Sequence, residues 1–82
     1  MKITDSVTFG QAVRDRRKEL GYTQDSIASF TGLSVSFLSD LENGKKTIQL
    51  DKAISVAMLL ELDLSLTPRG GGKGSLRDKE LA

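Results

Sequence analysis

Residues 24–41 read Gln-Asp-Ser-Ile-Ala-Ser-Phe-Thr-Gly-Leu-Ser-Val-Ser-Phe-Leu-Ser-Asp-Leu, with small and apolar residues placed where two short, steeply crossing helices need them. Ala28 is small enough to let a second helix come close, and Gly32 can take the positive φ of a connecting turn. Ile27, Leu33, Leu38 and Leu41 can share one interior. Thr23 stands before the first helix and Ser34 before the second, each able to accept a hydrogen bond from a free backbone N–H. The stretch is a helix-turn-helix.

Upstream, Phe9, Val13 and Leu20, with Ala12 and the stem of Arg17, recur at helical spacing over residues 6–20, and Gly21 is a natural stop. Residues 1–5 show no pattern, and Tyr22 is expected in the core with its hydroxyl outward. The two helices of the motif are expected over 24–30 and 35–43, with Gly44 ending the latter. Residues 50–60 form a further helix that is apolar at Leu50, Ala53, Ile54, Val56, Ala57, Met58, Leu59 and Leu60. That is too many positions for one stripe, so the helix should be covered on more than one side. In so small a chain the second cover is most easily another subunit, which puts Val56, Leu59 and Leu60 on a dimer surface.

The period then changes. Leu60, Leu62, Leu64 and Leu66 alternate with Glu61, Asp63 and Ser65, the two-residue repeat of a half-buried strand. A lone strand cannot satisfy its own backbone. The expectation is therefore a short strand at 62–67 that pairs antiparallel with the same segment of a second copy and brings Leu62, Leu64 and Leu66 into the interface. Pairing with residues 2–4, or a helix tail running into coil, are the alternatives. The expected organisation is one domain over residues 1–67 and a flexible tail over 68–82, the latter from its Pro68 and glycine-rich composition.

A chain of 82 residues holds one small domain whose stability is helped by association. It has no Cys and no His, which removes disulfides, thiolate and imidazole metal sites and the usual proton shuttles. The serines of the third helix have no histidine to activate them, so no catalytic residue, metal site or cofactor is expected. No apolar run reaches the ~20 residues of a membrane span and no secretory signal opens the chain, so a cytoplasmic location is expected. Residues 1–66 carry eight Lys/Arg against nine Asp/Glu, so binding to nucleic acid has to come from local clustering. The clusters are Arg14, Arg16, Arg17 and Lys18 in the first helix and Lys45 with Lys46 after the third.

Arg17, Thr23-Gln24, Ile27-Ala28, Gly32-Leu33-Ser34, Leu38 and Leu41-Glu42-Asn43-Gly44-Lys45 together resemble the Xre/Cro-like family of helix-turn-helix regulators, over about residues 9–66. The helix followed by Leu-Glu-Leu-Asp-Leu-Ser-Leu-Thr is similar to HipB-type antitoxins, whose partner is a HipA-type serine/threonine kinase toxin. The resemblance implies an all-α domain of four or five helices, of the lambda-repressor-like type, that binds double-stranded operator DNA as a two-fold dimer with the third helix in the major groove. Carried over by position, Ser34, Val35, Ser36, Ser39 and Asp40 would face the bases. Gln24, Asn43 and Lys45 would reach the phosphate backbone, with Phe37 and Lys46 beside them. Arg17 and Glu42 would form a largely buried ion pair between the first and third helices.

Hydroxyls can address several base edges, Val35 can pack on a thymine methyl, and Asp40 can accept from cytosine N4, repel wrong sites or cap a neighbour. Phe30 stands where the family is usually polar, and either fills a gap left by Thr31 or contacts a partner protein; the core position is the expectation. The function expected is a homodimeric repressor on an inverted repeat, also the antitoxin of a kinase toxin. A stand-alone regulator and a protein-binding adaptor without DNA binding are the alternatives.

Overall fold

The computed structural model describes residues 2–69, and its helices are α1 (Ser6–Glu19), α2 (Gln24–Thr31), α3 (Val35–Glu42) and α4 (Leu50–Leu59). Three of the starts are capped by side chains. Thr23 Oγ1 accepts from the Ser26 N–H at 3.0 Å while Ser26 Oγ accepts from the Thr23 N–H at 3.0 Å, a reciprocal box. Ser34 Oγ accepts from the Phe37 N–H at 3.0 Å. The third cap is Asp5, in a segment without sequence pattern: its carboxylate accepts from the Thr8 N–H at 2.8 Å and Thr8 Oγ1 accepts in return from Asp5 N–H. The Thr8 N–H and then the Thr8 hydroxyl hold the Asp5 carboxyl below its ordinary range, so this cap acts above the usual carboxylate range and is lost as acid titrates it.

The helix ends follow one rule with one departure. Tyr22 N–H reaches the Arg17 carbonyl (3.0 Å), Lys45 N–H the Asp40 carbonyl (3.0 Å) and Leu62 N–H the Ala57 carbonyl (2.9 Å), the same terminal motif after α1, α3 and α4. The left-handed residue of that motif is glycine after α1 and α3, but after α4 it is Glu61, with φ 61°. A side chain there is strained by roughly 1 kcal/mol. Glu61 meets Arg16 only through an exposed contact of 3.6 Å, which contributes little. Glu61→Gly should therefore raise stability by about 0.5–1 kcal/mol, a rise of a few degrees in thermal unfolding by circular dichroism; an unchanged or lower midpoint would refute the strain.

Val13, Ile27, Leu38, Leu41, Ala53, Val56 and Leu60 form the core, with Phe9, Ala28, Leu33, Phe37, Ile48 and Leu62 packed against it. Each large side chain so enclosed contributes roughly 1.5–3 kcal/mol. The motif expected from residues 24–41 is present, and Gly32 closes α2 with φ 78°. Arg16 reinforces the end of α4 by donating from Nε to the Leu60 carbonyl at 2.9 Å.

Four expectations change. Val56 is 1% and Leu60 0% exposed, so both belong to the chain's own core and not to a surface between copies. The apolar excess of α4 divides differently: Ala53, Val56, Ala57 and Leu60 face inward, while Leu50, Met58 and Leu59 are exposed. Within one chain the alternative pairing is absent: residues 2–4 and 62–69 form no strand, and the Leu62 N–H donates to the Ala57 carbonyl in the turn after α4. Tyr22 and Phe30 are surface residues, their rings meeting edge to face with centroids 6.0 Å apart and Phe30 64% exposed. Thr31 leaves no gap for Phe30 to fill, since its Oγ1 donates to the Ile27 carbonyl at 2.8 Å and accepts from the Leu33 N–H at 3.1 Å. The glycine-rich part of the expected tail, residues 70–82, lies outside the described residues.

Candidate nucleic-acid interface

Leu38 and Leu41 are buried, and that anchoring sets the rotation of α3. The opposite flank presents Ser34, Val35 and Ser36 to solvent, with Ser39 and Asp40 half-buried one turn on. Phe37 lies half-buried at the border, against the core. A face of three hydroxyls, one pair of methyls and one carboxylate can donate to or accept from base edges, but α3 carries no Arg, Lys, Asn or Gln for bidentate contacts. Just beyond the helix, Asn43, Lys45 and Lys46 are exposed. Asn43 Nδ2 lies 3.4 Å from Ser39 Oγ, and Lys45 Nζ lies 3.4 Å from Asp40 Oδ2.

One carboxylate ties this face to the rest of the domain. Glu42 Oε2 accepts from Arg17 Nε at 2.7 Å, and Oε1 accepts from Arg17 Nη2 at 3.0 Å and Gln24 Nε2 at 3.1 Å. The side chains are 12% (Arg17) and 4% (Glu42) exposed. The fork-to-fork geometry suits a guanidinium and a carboxylate, and the hydrogen bond to Glu42 pushes the Arg17 guanidinium further up from its already high range. Arg17 Nη1 also donates to the Tyr22 carbonyl at 2.8 Å, so α1, α2 and α3 converge on this pair. The inward role of Gln24 has no signal in the sequence: one N–H of its amide is engaged by Glu42, leaving the second, with the backbone N–H, at the positive end of α2.

The basic cluster of α1 is reduced by the fold. Arg17 is committed to Glu42, and Arg16 to the Leu60 carbonyl and to Glu19 and Glu61. Arg14 and Lys18 remain exposed.

A profile of the family described as Helix-turn-helix matches residues 13–66. The chain belongs to the helix-turn-helix family of DNA-binding transcriptional regulators. This helix-turn-helix protein is similar to the "ImmF control region 10 kDa protein" of Bacillus phage phi105, with 34% identity over 62 residues, covering 76% of this chain and 69% of the phage protein. It is similar also to the "Uncharacterized HTH-type transcriptional regulator y4mF" of Sinorhizobium fredii, with 33% identity over 69 residues, covering 84% of this chain and 91% of that one. Among solved structures, a chain of a "HipA-HipB-O2-O3 complex" superposes with a TM-score of 0.77 at 24% identity, over 85% of this chain and 99% of that one. The helix-turn-helix architecture is thus shared across nearly the whole length of that chain. No helix among the described residues is long and apolar enough to cross a membrane.

Two residues that shape this site carry no sequence signal. Gly10 lies where α1 crosses the end of α3: a Cβ there would overlap the Leu41 carbonyl oxygen and stand 2.8 Å from that of Glu42. Ser6 Oγ donates to the Gly44 carbonyl at 2.9 Å, fastening the start of α1 to the turn that carries Lys45.

Proposed function

We propose that this helix-turn-helix regulator is a repressor that acts as a homodimer, each copy placing α3 in a major groove of an inverted-repeat operator. The observation that carries the reading is the exposed Ser34-Val35-Ser36 flank, held outward by the buried Leu38 and Leu41. Ser34, Val35, Ser36, Ser39 and Asp40 then face bases, and Gln24, Phe37, Asn43, Lys45 and Lys46 face the phosphate backbone. Two recognition helices that enter successive grooves lie about 34 Å apart, so half-site centres should be one helical turn, or a small multiple, apart. The second copy joins through exposed Leu59, Leu64 and Leu66 and half-buried Leu62, with residues 62–67 pairing across the two-fold axis where their backbone gains the partner it lacks within one chain.

Fluorescence anisotropy with the DNA upstream of the protein's own gene, against a shuffled duplex, tests this. Affinity should fall steeply with salt. Lys46→Ala should weaken both duplexes alike and lower the log–log salt slope by about 2 for a dimer, one per copy. Equal binding of the two duplexes by the unaltered protein at every salt concentration would reject the repressor in favour of an adaptor.

The finer reading is a HipB-like antitoxin that also holds a HipA-type kinase toxin. It is supported by the fold shared with a chain found in a HipA-HipB complex and by the exposed Tyr22–Phe30 corner, a surface suited to a protein partner. Co-expression with a kinase encoded beside the gene should relieve that kinase's growth arrest. Persisting arrest would leave a stand-alone regulator.

A further inference from the structure

Asp40 and Lys45 meet at the edge of the α3 face, Nζ 3.4 Å from Oδ2, with their side chains 44% and 54% exposed. Their proximity is set by the backbone: the Lys45 N–H donates to the Asp40 carbonyl at 3.0 Å in the turn that ends α3. The sequence of α3, Val-Ser-Phe-Leu-Ser-Asp-Leu-Glu, holds two acids and no base. Arg17 neutralises Glu42 inside the protein, so Asp40 is the charge that α3 turns towards solvent, one helical turn from Ser36. A duplex laid on this face attracts Lys45 and repels Asp40 at the same moment. An exposed pair of this kind contributes little to folding, so a change in it reads out in binding.

We propose that Asp40 and Lys45 are a partner-exchange pair that penalises wrong DNA sequences. This rests on the reading that α3 enters the major groove. On any duplex Lys45 leaves Asp40 for a phosphate oxygen. The carboxylate so uncovered faces base edges that are mostly acceptors; the N4 amino group of a cytosine can satisfy it, whereas the N6 amino group of an adenine lies between two acceptors, its own N7 and the thymine O4. A half-site with cytosine at that position regains a partner for Asp40; a half-site without it holds an unpaired anion among phosphates. Lys45 supplies attraction to all DNA, and Asp40 withdraws it from all but the matching sequence.

Asp40→Ala, Lys45→Gln and the double variant, titrated on the upstream duplex and its shuffled counterpart, test the exchange; circular dichroism verifies the fold of each. Asp40→Ala should tighten binding to the shuffled duplex by about threefold per copy, close to tenfold for a dimer, as one like charge beside the phosphates is removed. Binding to the upstream duplex should not tighten, because lost base recognition offsets the gain, so the preference between duplexes falls about tenfold or more. In the Lys45→Gln background the tightening on shuffled DNA should shrink. Equal factors on both duplexes, or a response to Asp40→Ala that ignores residue 45, overturns the exchange. Absence of any preference in the unaltered protein rejects the groove reading itself, a separate result.

Discussion

Gly10→Ala should destabilise the domain by about 3 kcal/mol, a fall of about 15 °C in the unfolding midpoint, although alanine is the better helix former by about 1 kcal/mol. The new methyl would meet backbone on the far side, the carbonyl oxygens of Leu41 and Glu42, and not the end of a side chain that could swing away. Relief requires α1 to move off α3. That movement stretches the Arg17–Glu42 pair and loosens Val13 from Leu38 and Leu41. Against a total stability that for small domains lies near the lower part of about 5–15 kcal/mol, such a loss raises the unfolded fraction by about a hundredfold, to a few per cent. Thermal and urea unfolding measure it; a variant as stable as the parent would show that the crossing can relax.

Arg17→Met should cost about 3–5 kcal/mol, because it strands a carboxylate whose side chain is 4% exposed and leaves it only the Gln24 amide. Most of that cost is the burial of an uncompensated charge and not the worth of the pair. Arg17→Met combined with Glu42→Leu should therefore recover most of the stability, with a coupling of at least about 2 kcal/mol in the double-mutant cycle. A double variant as unstable as the sum of the single ones would mean that the pair acts instead through its hydrogen bonds to Gln24 and the Tyr22 carbonyl. DNA binding supplies a second readout: the double variant, once folded, frees the Gln24 amide from Glu42, so any change in affinity should be equal on specific and shuffled duplexes, since neither altered residue faces solvent on the α3 flank.

The sequence makes legible what short-range rules govern. Thr23, Ser34 and Gly32 announce themselves because a cap or a left-handed turn depends on residues three or four positions away. Asp5 obeys the same rule, but its partner in the box is Thr8 where Glu or Gln is the usual signal, and it went unseen. Arg17 and Glu42 are 25 positions apart, and neither periodicity nor composition joins them; only the family resemblance did. Gly10 illustrates the limit more sharply. Nothing around it distinguishes it from a tolerated helical glycine until α3 is laid across it.

The misplaced side chains share a cause. The sequence reading puts Phe30 in the core beside Thr31, yet Phe30 is 64% exposed and the threonine hydroxyl is satisfied on two backbone groups. Apolar excess on α4 shows that a helix is covered without showing by what, and Val56 and Leu60 turn out to be covered by the chain itself. The leucine alternation after α4 specifies a side-chain period but supplies no ladder partner, so within one chain these residues form no strand.

The enclosure of Val56 and Leu60 by the protomer's own helices separates two quantities that many small regulators tie together. Parting the copies of the proposed dimer would expose leucines at the rim and leave the core of each chain closed, although association still adds to its stability. Occupancy of a two-fold site would then track the square of free chain at low abundance, and halving the cellular supply would empty the site about fourfold. Sensitivity of the proposed operator to supply would come in this way from assembly rather than from the folding of each chain.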